Sequence, residues 1–258
     1  MTRRRGSALL LVLWLLVLLA GVVALGLGGA RTGTGAARNR LALLRAGWAR
    51  EACLEILRSR ARGLPEDSLV PRVLRVDSVD LGQGIWCEAT VADPAERLQL
   101  NRAAERALAV LFGDSAAAGA VVAGRPWPAV EALPAPLARW AAWLTVRGVG
   151  LVNLNAAPRE VLATLPGVGP DGAAALAAFR SPARPLRSID EAIAALPEAS
   201  RVRVLARYDQ FAAAITFRPS ELVVIATGHA GGGGLATAVT ATLVPAGGRL
   251  AVIRREAE

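Results

Sequence analysis

Residues 7–30 read SALLLVLWLLVLLAGVVALGLGGA, apolar or small throughout, with no charge between Arg5 and Arg31. At about 1.5 Å per helical residue the run is roughly 35 Å long, enough to cross a ~30 Å hydrocarbon layer. The segment RTGTGAAR, residues 31–38, interrupts it with two glycines and predicts a bend or a melted neck. Over residues 39–64 the pattern turns amphipathic, and helical spacing brings Leu41, Leu44, Trp48, Cys53 and Ile56 near one stripe. Alternation then predicts two strands, VPRVLRVDSVDLG and GIWCEATVAD, joined as an antiparallel hairpin around GQG. Residues 102–214 return to helical spacing, broken by Pro126, Pro128, Pro134 and Pro136. The chain ends in three strand-like runs, ELVVIATG, LATAVTATLV and RLAVIRR, separated by HAGGGG and PAGG. These elements predict an α+β protein: a long N-terminal helix on one antiparallel sheet, with a helical domain inserted between the sheet's two halves.

Within the helical part, Ser188 and Glu191 form a capping box that starts one helix. Pro158 opens another that runs to about Leu165; Pro166, Gly167, Val168 and Gly169 turn the chain, and DGAAALAAF resumes helix. This is a helix-hairpin-helix pattern, in which Gly167 and Gly169 permit the tight turn and Ala173 and Ala174 allow close helix approach. In DNA-binding hairpins the turn amides and the second helix's N-terminus hold a phosphate. Here Arg159 and Arg180 are balanced by Glu160 and Asp171, and Asp171 stands where the phosphate would approach. The hairpin therefore reads as packing, and no nucleic-acid partner is expected.

A net charge of +9 and a pI near 11.3 do not change that reading, because all 30 basic residues are arginine in an alanine-rich chain, as a codon bias would produce. Arg3, Arg4 and Arg5 precede the apolar run and act as topology signals that keep the N-terminus cytoplasmic. Cys53 and Cys87 lack any CxxC or paired histidines, so sulfur-based metal binding is not expected. In an exported domain they are either a disulfide or two buried thiols. The sole histidine, His229, falls in a glycine-rich segment and reads as a solvated loop residue. No GxSxG, P-loop or paired-carboxylate motif is present, and GVGPDG lacks a strand-GxGxxG-helix setting. Trp14, Trp140 and Trp143 read as anchors and core. The inventory points away from an enzyme.

The leader MTRRRG followed directly by an apolar helix resembles the class III signal of type IV pilins and pseudopilins. The resemblance implies cleavage after Gly6 by a prepilin peptidase and N-methylation of Ser7. The usual glutamate at the fifth mature position is replaced by Leu11, which resembles one subclass, general secretion pathway protein K, the large minor pseudopilin of type II secretion. Leucine there suits a tip subunit, since an unpaired carboxylate in lipid is costly. DPAERLQLN (residues 93–101), VNLNAAPREVLATL with Asn153 and Asn155, and Ser220 before the returning strand also resemble that family. Ala156 replaces the family threonine. The family's Asp-rich segment, which binds calcium in some members, is missing; Asp114 alone does not supply six to eight oxygens, so neither calcium nor another cofactor is expected.

The resemblance implies residues 1–6 as leader, 7–30 as transmembrane helix, 31–64 as its continuation, 65–101 and 215–258 as sheet, and 102–214 as the insert. It implies a single-pass protein of the bacterial inner membrane with a periplasmic C-terminal domain, starting or capping the pseudopilus at its tip. Its implied partners are the other minor pseudopilins, the major pseudopilin, the prepilin peptidase and the inner-membrane assembly platform. Two alternatives place the N-terminus differently. A conventional secretory signal would be cut near GLGGA. A membrane-anchored DNA receptor of the competence type shares a single anchor and a VNLNAA-type lead into a hairpin.

Overall fold

The computed structural model describes residues 4–64, 71–181, 184–231 and 234–257; the side-chain surroundings of residues 4–8, 26–32 and 257 are not included in that description. Helix α1, Arg4–Ala61, is continuous over 58 residues, about 87 Å at 1.5 Å each. The expected break at residues 31–38 is absent: two isolated glycines cost about 1 kcal/mol each against alanine, and the alanines and arginines around them favour helix.

The face that α1 packs on the sheet differs from the expected stripe. Ala46, Ala49, Cys53, Leu54, Leu57 and Ala61 are buried, while Leu41, Leu44 and Trp48 are exposed and Ile56 is only partly buried. Of the expected stripe Cys53 belongs to the contact, together with the large Leu54 and Leu57 and the small Ala46, Ala49 and Ala61, while Leu41, Leu44 and Trp48 lie outside it.

A four-residue helix α2, Pro71–Leu74, occupies the first half of the run read as strand. Strand β1, Val76–Gly82, follows and pairs with β2, Ile85–Ala92. Between them Gln83 and Gly84 both have positive φ, 56° and 70°, the two-residue turn whose twist matches a hairpin. A short 3-10 turn, Pro94–Glu96, capped by Asp93, leads to β3, Leu98–Gln99.

The helical insert then contains α3, Glu105–Phe112, and α4, Ser115–Ala123, followed by 3-10 stretches Val130–Ala132 and Ala135–Trp143. It continues with β4, Leu144–Thr145, β5, Val152–Asn153, α5, Arg159–Leu162, and α6, Gly169–Phe179. Helices α7, Ile189–Ala194, α8, Glu198–Leu205, and α9, Tyr208–Ala214, precede β6, Ile215–Thr216. At α7 half of the expected capping box is formed, Glu191 N donating to the Ser188 cap Oγ at 3.2 Å, while the Glu191 carboxylate reaches one residue further back and accepts from Arg187 N at 2.8 Å.

The chain re-enters the sheet as β7, Leu222–Ala230, β8, Leu235–Ala246, and β9, Arg249–Ala257. The sheet order is β1-β2-β7-β8-β9, antiparallel at every pairing. Since β2 and β7 are neighbours, with Ala92 paired to Val223, the insert leaves and returns between two adjacent strands. Two short parallel pairs, β3 with β4 and β5 with β6, tie the insert's own ends together. Each part has its own core: α1 and the sheet enclose Leu54, Leu57, Leu222 and Val224, whereas Leu108, Leu162, Leu176 and Phe211 lie in the insert's core. At roughly 1.5–3 kcal/mol per fully buried large apolar side chain, each cluster supplies a substantial local driving force.

His229 is not in a turn. It lies in β7, paired with Trp86, and the two rings stack with centroids 3.6 Å apart and planes 4° from parallel. The strand runs through TGHA to Ala230 because β2 and β8 continue to pair with it there.

Candidate assembly surfaces and the insert hairpin

The apolar half of α1 extends beyond the sheet. Among the side chains whose surroundings are described, residues 9–25 are all exposed, Leu11 at 74% and Trp14 at 65%. A helix apolar on every side is stable only when something covers it. Gly6 and Ser7 fall in the first turns of this helix, but their surroundings, like leader residues 1–3, lie outside the described residues. Among the described residues no helix is long and apolar enough to cross a membrane, and residues 26–30 of the expected span are outside that description.

Where α1 meets the sheet, Cys53 and Cys87 form a disulfide with a Cα–Cα distance of 5.9 Å, joining the helix to β2. Arg255 of β9 pairs with Glu51 at 2.9 Å, and Arg58 Nε donates to the Leu250 carbonyl at 3.1 Å. Gly228 of β7 faces the helix so closely that a Cβ would lie 2.5 Å from Arg50 N and 3.0 Å from the Ala49 Cβ. A glycine inside a strand otherwise rich in Val, Ile and Ala signals such close approach, and that cue was present in the sequence.

The hairpin brings α5 and α6 together around Pro166, Gly167, Val168 and Gly169, with Val168 buried. Gly167 and Gly169 have φ of 85° and 65°. The turn is covered by α8. A Cβ on Gly167 would lie 2.6 Å from the Arg203 carbonyl oxygen and 2.7 Å from Val204 N. Arg203 Nε donates to the Gly167 carbonyl at 3.2 Å, and Ser200 Oγ to the Val168 carbonyl at 3.0 Å. Close helix contact is made by Gly172 and Ala173. Ala174, expected to share that role, is exposed.

Asn153 and Asn155 are turn residues that also reach far along the chain. Asn153 Oδ1 accepts from Asn155 N at 3.0 Å, while its Nδ2 donates to Asp93 Oδ2 at 2.8 Å, both side chains buried. Asn155 Nδ2 donates to the Leu186 and Phe217 carbonyls, each at 2.8 Å, and its Oδ1 accepts from Leu186 N at 2.8 Å. Arg180 donates to the Leu154 and Ala157 carbonyls. Elsewhere, Arg147 of the insert pairs with Glu256 of β9 at 2.8 Å. These long-range partners have no local sequence signal, because each is set by tertiary folding.

Among the described residues no group of three or more His, Cys, Asp or Glu side chains is placed to hold a metal ion. Asp114 caps α4, its Oδ1 accepting from Ala116 N and Ala117 N at 2.8 and 3.1 Å. His229 Nε2 lies 3.6 Å from Glu88 Oε1 and makes no hydrogen bond.

No family model and no curated protein matches the chain. Among solved structures, a chain of the GspK–GspI–GspJ complex from the type 2 secretion system of enterotoxigenic Escherichia coli superposes with a TM-score of 0.58 at 10% identity, covering 88% of this chain and 99% of that one. The likeness covers most of the chain and is one of fold: the chain shares the architecture of a subunit of that complex, a long N-terminal helix on an antiparallel sheet with a helical insert.

Proposed function

We infer that this protein is a minor pseudopilin of a type II secretion system, working by assembly rather than catalysis. The observation that carries the reading is the fold likeness over 88% of the chain, insert included, to a chain from a complex of minor pseudopilins. The exposed apolar half of α1 supports it: it suits burial first in the inner membrane and then among the helices of neighbouring subunits. On this reading the N-terminus is cytoplasmic, the sheet and insert are periplasmic, and a prepilin peptidase removes residues 1–6.

The insert is a bulky unit beside the sheet, which suits a tip position because it would obstruct a subunit added above. The DNA-receptor alternative loses ground at the hairpin, where the backbone of α8 lies against Gly167. Co-expression with the GspI-type and GspJ-type pseudopilins of its own system should give a stoichiometric complex on co-purification from membranes. Recovery of this chain alone would contradict the reading.

A further inference from the structure

Between the α1–sheet unit and the insert lies a cleft of about 1250 Å³. Pro71, Arg72 and Val73 of α2 line it from the sheet side, and the segment up to Arg187 and the chain from β6 to Pro219 line it from the insert. The two sides are anchored in different cores. Leu74, two residues after Arg72, is buried with α1 and the sheet. Leu186, next to Arg187, is buried in the insert's core, and Asn155 holds its N–H and its carbonyl, each at 2.8 Å.

Several polar groups lining the cleft serve the protein itself. Asp93 is 2% exposed and accepts from Asn153 Nδ2 at 2.8 Å, Asn155 is bonded to Leu186 and Phe217, and Arg180 donates to the Leu154 and Ala157 carbonyls. Arg72 and Arg187 are different: both are exposed, and among the described residues neither side chain makes a hydrogen bond or ion pair. In all, four arginines, Arg72, Arg180, Arg187 and Arg218, line the cleft against two carboxylates, Asp93 and Glu96. Apolar surface lies among them, with Val73 50% exposed and Phe217 half-buried.

We propose that this cleft binds an extended acidic segment of a partner protein, with Arg72 and Arg187 taking its carboxylates and Val73 and Phe217 its apolar side chains. The excess of cations sets the sign of the ligand, because complementary charge is what selects one partner over another. Guanidinium groups match carboxylates as a planar fork, the form in which arginine recognises acidic segments. The volume exceeds the roughly 300–1,000 Å³ of ordinary small-molecule sites, so a stretch of chain fits it better than a single small anion. A segment with more than one carboxylate engages both arginines at once and thereby bridges the sheet unit and the insert.

Fluorescence anisotropy on the full chain in detergent tests this with a dye-labelled hexapeptide of alternating aspartate and valine. The peptide should bind saturably, and the same peptide with asparagine for aspartate should not. Arg72→Gln and Arg187→Gln should each weaken binding about tenfold, the loss of one charge-assisted contact, and both should keep the wild-type unfolding midpoint. Arg159→Gln, at an exposed position of α5 outside the cleft, should bind as the wild type does. Absence of saturable binding, equal binding of the asparagine peptide, or the same weakening in Arg159→Gln would overturn the proposal. So would binding that appears only in the double variant Glu66→Gln, Asp67→Asn, since the occupant would then be the chain's own acidic pair.

Discussion

Gly228 of β7 lies directly beneath the Ala46 carbonyl of α1, so a Cβ at Gly228 would overlap that oxygen. The helix sits on the sheet at a distance that only glycine allows, which is why Ala46 and Ala49 line the contact. Gly228→Ala must push the helix away and should destabilise the α1–sheet unit by about 2 kcal/mol or more, an overpacking cost. Thermal unfolding of the full chain in detergent would register this as a lower midpoint; an unchanged midpoint would mean the helix sits further out.

The two hairpin glycines should respond differently. Gly167→Ala combines positive φ with a backbone clash against Arg203 and Val204 and should lower insert stability by several kcal/mol. Gly169→Ala meets only the Arg203 Nη2 at 3.4 Å and should cost about 1 kcal/mol, the conformational penalty alone. Urea unfolding of the two variants separates them, and equal losses would argue against α8 as the cover of the turn.

Reduction of Cys53–Cys87 should remove about 3–4 kcal/mol by the loop-entropy estimate for a separation of 34 residues. Both cysteines are fully buried, so mild reductant should leave the bond intact until the domain opens. Thiol alkylation with and without denaturant, read by mass, checks this; ready alkylation of the native protein under mild reductant would contradict the buried placement.

Strand content, sheet type and the existence of the insert were legible because alternation, glycine turns and helical spacing are local signals. The helix-sheet register was not. Leu41, Leu44 and Trp48 are large and apolar and drew the stripe toward themselves, whereas over Gly228 the contact is made by Ala46 and Ala49, with Leu54 and Leu57 packing further along the helix. Likewise PGVG announced a turn, but its cover, Arg203, lies 36 residues beyond Gly167. His229 looked solvated because glycines follow it, and only pairing with Trp86 of β2 and Ala236 of β8 extends the strand that far. The Asp93–Asn153 bond, 60 residues apart in sequence, had no signature at either end.

The proposed function makes the apolar half of α1 a pilin-class membrane helix. Its most direct test is the intact mass and N-terminal sequence of the protein purified from membranes that contain its own prepilin peptidase. Pilin-class processing predicts a chain that begins at N-methylated Ser7. An intact N-terminus at Met1, or a start near Arg31, would contradict it.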